Sequence, residues 1–200
     1  MKYLWFPIVI GLIGLVFFGN TLVSNKTNLA AVVTLQPLDK PTLIKQDGRE
    51  ALIARVYSTY PFNHRNFLTV SAGYADGVTP GMAVTADGNF LLGQVAEVFE
   101  HTSNVRTIFD KNWTISVRLG AKAADALLVS GQEPQLTMID KKAEVEDDAP
   151  VYSASRDFPY GLKMGTVKNI QDPGVIAFKQ AELELPYQLN DLKEVAILLK

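Results

Sequence analysis

One piece of strand grammar occurs twice in this chain, and it admits little besides β structure. The first copy is Ala75-Asp76-Gly77-Val78-Thr79-Pro80-Gly81-Met82-Ala83-Val84, followed after a turn by Gly93-Gln94-Val95-Ala96-Glu97-Val98. About seventy residues later comes Ala143-Glu144-Val145-Glu146-Asp147-Asp148-Ala149-Pro150-Val151-Tyr152, then Gly161-Leu162-Lys163-Met164-Gly165-Thr166-Val167. Each copy is an acidic turn, a valine-bearing strand, a loop and a Gly-x-Val strand opening. Repetition at domain-sized spacing predicts two small β-modules of common design. Neither copy holds a histidine, serine or cysteine, so the repeat points to scaffolding.

The rest of the chain after Glu50 continues in this style. Ala51–Ser58, Phe67–Ser71, Met82–Val84, Phe90–Phe99, Val105–Phe109 and Trp113–Leu119 have strand composition, with Asp87-Gly88 as a hairpin turn. Ala126–Val129, Gln135–Met138, Ala149–Ser153, Met164–Ile170, Ile176–Leu185 and Val195–Leu199 follow. Short strands between frequent turn residues predict barrels or sandwiches. The fold class is therefore all-β, two small β-barrel-like modules after a single N-terminal transmembrane helix. The expected first module is 51–120 and the second 121–200, with the last strand left open to return to the first. One helical turn is expected near Leu189–Leu192. Asp76, Gly77, Gly81, Asp87, Gly88, Gly93, Pro159, Gly161 and Gly165 are the signature turn and bulge positions, the glycines serving positive φ or close packing.

From Tyr3 to Val23 no charged residue occurs. As a helix these residues span about 31 Å, the thickness of a hydrocarbon core. Lys2 precedes the span, and Tyr3 and Trp5 sit where an interfacial belt would lie. Residues 1–23 are thus expected to anchor the chain in the inner (cytoplasmic) membrane as a single pass, with the remainder in the periplasm or extracytoplasmic space. No small-x-small cleavage site follows, which disfavours a cleaved signal. Residues 24–50, broken by Pro37 and Pro41, form a semi-extended periplasmic tether without coiled-coil heptads.

Composition narrows the chemistry. The 19 basic residues nearly balance the 21 acidic ones, and no basic cluster occurs, so no nucleic-acid partner is expected. With no cysteine and two histidines, no metal centre and no cofactor are expected. A β-barrel serine protease would need His64 or His101, Asp110, and Ser130 or Ser153. Neither serine has the glycine-rich turn that supplies oxyanion donors. The acidic run Glu144, Glu146, Asp147 and Asp148 lacks the glycine turn of a calcium loop and reads as a solvated turn. Loop aromatics remain: Phe158 and Tyr160 flank Pro159, and Phe62 and Phe67 lie beside another loop. These four are the partner-binding candidates.

The ordered phrases resemble the rod-shape-determining MreC family. They are Leu68-Thr69-Val70, Ala75 to Val84, Gly93 to Val98, Thr102-Ser103-Asn104-Val105, Ile108-Phe109-Asp110, Ile115-Ser116-Val117, Phe158-Pro159-Tyr160-Gly161-Leu162-x-x-Gly165-x-Val167, and the closing Glu194 to Leu199. The resemblance implies two extracytoplasmic barrels behind one membrane anchor, no enzymatic activity and no cofactor. It implies a scaffold of the cell-elongation peptidoglycan machinery, with partners in a class B penicillin-binding transpeptidase, MreD and other elongation-complex membrane proteins. The chain departs from the family in its short, proline-broken tether, which leaves self-association open. It departs also at Ala154-Ser155-Arg156-Asp157, where the family has a glycine-rich loop. An exporter adaptor is the rival class, but no segment supplies its long helical hairpin.

Overall fold

The computed structural model describes residues 40–46, 48–57, 67–87, 89–172, 174 and 177–199. Apart from two 3-10 turns, at Tyr74–Asp76 and Leu189–Asp191, its regular elements are all strands. In chain order these are β1 Thr42–Gln46, β2 Arg49–Arg55, β3 Phe67–Val70, β4 Ala83–Ala86, β5 Phe90–Val98, β6 Ser103–Thr107 and β7 Thr114–Leu119. Then come β8 Ala124–Val129, β9 Gln135–Asp140, β10 Pro150–Ser153, β11 Lys163–Gln171, β12 Phe178–Glu184 and β13 Glu194–Leu198.

Pairing closes these strands into two rings. In the first, β2, β13, β4, β5, β6 and β3 are neighbours in that order. The ring shuts where β3 returns to the end of β2, through the Val56–Val70 bridge and the bonds Tyr57 N–H to Thr69 O (2.8 Å) and Ser71 N–H to Arg55 O (2.9 Å). β1 flanks this ring on β2. In the second ring the order is β7, β8, β9, β12, β11 and β10, and β10 pairs back to β7. Closure satisfies the edge N–H and C=O groups that an open sheet would leave unpaired. The rings meet where β5 and β11 run parallel at Phe90 and Lys163. They are also tied by the buried Tyr187, whose hydroxyl donates to Leu91 O at 2.9 Å.

Alternation along the strands fills each ring. In β7, Ile115, Val117 and Leu119 are buried while Thr114 and Ser116 face out. Leu128, Leu136, Ile139, Val151, Met164 and Val167 complete that core, and Val70, Val84, Leu92, Val105 and Ile197 occupy the inward positions of the other. Each such side chain contributes roughly 1.5–3 kcal/mol by leaving water.

Two expectations change. Thr42–Gln46 and Arg49–Glu50 are strand and not tether, because Thr42-Leu43-Ile44 has strand composition and the sequence Asp47-Gly48 is a hairpin signal, with Gly48 at φ 78°. β7 belongs with the second ring, ahead of the boundary at residue 120, since its neighbours are β8 and β10. Of the two roles expected of the signature glycines, Gly165 serves close packing and not positive φ: a Cβ there would lie 2.2 Å from Glu184 O. Among the described residues no helix is long and apolar enough to cross a membrane. The Tyr3–Val23 span lies outside the described residues, as do Phe62, His64 and Gly88.

Candidate partner-binding surface

The loop from β10 to β11 carries Phe158 and Tyr160, and the two rings go opposite ways. Ser153 holds the loop shut: its N–H donates to Leu162 O (2.8 Å), its carbonyl accepts from Gly161 N–H (3.0 Å), and its hydroxyl donates to Pro159 O (3.2 Å). With the loop pinned, Phe158 turns inward and is 5 % exposed. It packs on Trp113 with ring centroids 5.5 Å apart, tilted by 47°. The expectation that Phe158 is a surface anchor is corrected. The fixed backbone aims it at the gap beside Trp113, where burial outweighs exposure.

Tyr160 points outward and is 66 % exposed. Its hydroxyl accepts from Arg118 Nη1 at 2.6 Å, and the guanidinium carbon lies 5.7 Å from the ring centroid. Arg118 Nε donates to Asp125 Oδ1 at 3.2 Å. The bond to Asp125, and then the charge interaction with Tyr160, raise the Arg118 guanidinium above its ordinary value. Arg118 pairs across strands with Tyr152, which pairs with Lys163, so the outer face of β8, β7, β10 and β11 presents Asp125, Arg118, Tyr152 and Lys163 in a row, with Tyr160 over Arg118. Tyrosine and arginine are the residue types that most often dominate binding energy at interfaces.

Phe67, 46 % exposed, lies on the first ring. Its register partner is Arg106, which stacks over Trp113 at 5.2 Å. Arg106 Nε also meets Asp110 Oδ2 at 2.6 Å, and Nη2 donates to Asn112 O at 3.0 Å. Gln94 Nε2 reaches from β5 to Asp157 O at 3.4 Å. Phe67, Arg106, Trp113 and Phe158 thus form a sequence of neighbours that crosses from one ring to the other. Of the three described aromatic candidates, Phe67 and Tyr160 are exposed. Arg106, Trp113 and Arg118 were not singled out from the sequence. The available signal for Arg118 was its polar position in an alternating strand, facing Asp125.

Two of the groups considered for hydrolysis, Asp110 and Ser153, are otherwise engaged. Asp110 is tied to Arg106 and accepts from Asn112 N–H at 3.2 Å, the Ser153 hydroxyl serves the loop, and His101 is exposed beside Glu100. The Ser130 hydroxyl is buried with no polar partner among the described residues. No group of His, Asp or Glu among the described residues is placed to hold a metal ion. The acidic turn is solvated, with Glu144 and Asp148 paired to Lys122 and Lys168.

Two closed six-stranded rings, joined at a ring-and-guanidinium seam and presenting outward-facing Tyr and Arg, define an interaction protein built on paired β-barrels. The family model described as "Rod shape-determining protein MreC, barrel core" matches residues 56–199, and the chain belongs to that family. The family is structural and shape-determining, not enzymatic, and the chain's role is that of a cell-shape scaffold. No curated protein matches in sequence. Among solved structures, MreC of Listeria monocytogenes superposes with a TM-score of 0.65 at 20 % identity, over 95 % of this chain and 91 % of that one. MreC of Pseudomonas aeruginosa does so with 0.64 at 24 %, over 75 % of this chain and 99 % of that one. A structure of a complex between penicillin-binding protein PBP2 and MreC of Helicobacter pylori matches with 0.55 at 15 %, over 75 % and 99 %. These likenesses are ones of fold.

Proposed function

We propose that this chain is a single-pass inner-membrane protein whose barrels scaffold the cell-elongation peptidoglycan machinery outside the cytoplasm. The uncharged Tyr3–Val23 stretch behind Lys2 supports the anchor and the orientation. A class B penicillin-binding transpeptidase is the first partner, and MreD and other elongation-complex membrane proteins are further partners. The partner reading is supported by the H. pylori structure, in which a protein of this fold is in complex with PBP2.

The observation that carries the reading here is the exposed Tyr160 held by Arg118. An exposed ring fixed in place loses little freedom when a partner covers it, so it supplies binding energy at low ordering cost. Activity then resides in a surface. Affinity capture of the full-length protein from membranes, after crosslinking, tests this. Recovery of the transpeptidase from wild type and its loss from Tyr160→Ala are expected. Recovery of transporter subunits instead would overturn the reading.

A further inference from the structure

A scaffold must hold at least two partners at once, and the second ring has a concave feature whose lining does not include Tyr160. It lies at the end of β9 and β12, strands on the far side of the ring from β7 and β10. A groove of about 530 Å³ opens there, bounded also by the connector that leads to β13. That size is ordinary for a ligand site, so it takes a short segment and not a folded domain. Its floor is apolar: Phe109, Leu183 and Tyr187 are largely buried and show only an edge to the groove. Tyr187 cannot swing away, because its hydroxyl is bonded to Leu91 O. The floor is preformed.

The rim decides what would bind. Glu133 and Glu182 stand on it, and no lysine or arginine lines the groove among the described residues. Glu182 accepts from Asn169 Nδ2 at 2.7 Å, which orients the carboxylate without neutralising it. Lys168, the register partner of Glu182, is engaged by Asp148 and Glu184, so the two rim carboxylates favour a cationic group on whatever enters. Beside them Gln135 and Gln188 each offer a donor and an acceptor, the same pair of functions that a peptide unit presents.

From these features we propose that this groove is a second docking site, one that takes an extended peptide segment carrying an apolar side chain next to a lysine or arginine. The apolar side chain sits on the Leu183–Tyr187 floor, the amides bond its backbone, and the cation meets Glu133 and Glu182. This rests on the scaffold reading for its purpose and is separate from it in place.

The test uses full-length protein in nanodiscs and two fluorescent hexapeptides, one alternating leucine with lysine and one alternating leucine with glutamate. Fluorescence polarisation should show binding of the lysine peptide that weakens with added salt, and at least tenfold weaker binding of the glutamate peptide. Glu133→Gln with Glu182→Gln should weaken the lysine peptide at least tenfold at an unchanged melting temperature. Methyl shifts at Leu183 should saturate with the same affinity. Absence of binding, equal binding of the two peptides, or full affinity in the double variant would overturn the proposal, as would saturation of the Leu183 shifts by an N-acetylglucosamine oligomer alone. Transpeptidase capture measured in the same variant separates the two readings. Retained capture with lost peptide binding confirms a second site, whereas loss of capture from Tyr160→Ala speaks only to the first.

Discussion

Gly81 and Asp148 occupy the same position in the two rings. Each has a left-handed backbone, φ 84° and 65°, and each donates its N–H to a valine carbonyl, Val95 at 2.9 Å and Val167 at 2.8 Å. The valine N–H in turn donates to the next residue's carbonyl, Met82 or Ala149, at 2.9 Å in both cases. Two residues before each valine stands the glycine of the Gly-x-Val phrase, Gly93 or Gly165, against the backbone of the neighbouring strand. The repeated phrase is thus a repeated piece of hydrogen bonding.

This equivalence predicts the cost of side chains. Gly81→Val should destabilise the protein by about 1–3 kcal/mol, because a β-branched residue is strained at positive φ. Asp148→Gly should change stability by less than about 1 kcal/mol, since relief at positive φ is offset by loss of the exposed contact to Lys168 and by a freer unfolded chain. Urea unfolding of each variant checks both.

Gly93→Ala and Gly165→Ala should each cost about 1–3 kcal/mol for a different reason, overpacking. The added methyl would fall 2.0 Å from Arg106 O in one and 2.2 Å from Glu184 O in the other. Amide exchange should speed selectively along β5–β6 and β11–β12 respectively, and uniform protection would contradict the close approach.

Phe158 and Tyr160 should separate cleanly under mutation. Phe158→Ala removes a buried ring from Trp113 and should cost about 3–5 kcal/mol of stability. Tyr160→Ala lies at the surface and should change stability by no more than about 0.5 kcal/mol. Thermal unfolding of the two variants distinguishes them.

The Asp172 carboxyl is held below its ordinary value of 3.8, first by the Gly174 N–H and then by Lys141. A depressed carboxylate contributes stability that is present above the unfolded value and lost as pH falls through the folded one. Asp172→Asn should therefore flatten the acid limb of the stability curve below about pH 4, and an NMR titration should place the carboxyl under its unfolded value.

Much of the fold was legible because strand alternation and turn glycines are local. β5, β11 and the 3-10 turn at Leu189–Asp191 fall close to where composition puts them. Membership of β7 was not legible, since pairing with β8 and β10 is a non-local choice that strand composition leaves free. The short β1 was hidden behind Pro37 and Pro41, which mask the Asp47-Gly48 hairpin that follows. At the candidate surface, the loop aromatics were visible but their directions were not. Whether Phe158 or Tyr160 turns inward is set by the hydrogen bonds of Ser153 and by the room beside Trp113, neither of which has a sequence signature. Arg118 was missed because an outward arginine on a strand looks like any solvated residue until Tyr160 is placed over it.

The most direct test of the scaffold account is the affinity of full-length protein, in nanodiscs, for the extracytoplasmic part of the transpeptidase, measured for wild type, Tyr160→Ala, Arg118→Ala and Ser153→Ala. Truncating a true anchor costs about 2 kcal/mol or more, roughly thirtyfold in Kd. The account predicts that loss for Tyr160→Ala at an unchanged melting temperature, a substantial part of it for Arg118→Ala, and a loss for Ser153→Ala no larger than its effect on folding explains. Wild-type affinity in both Tyr160→Ala and Arg118→Ala would contradict it.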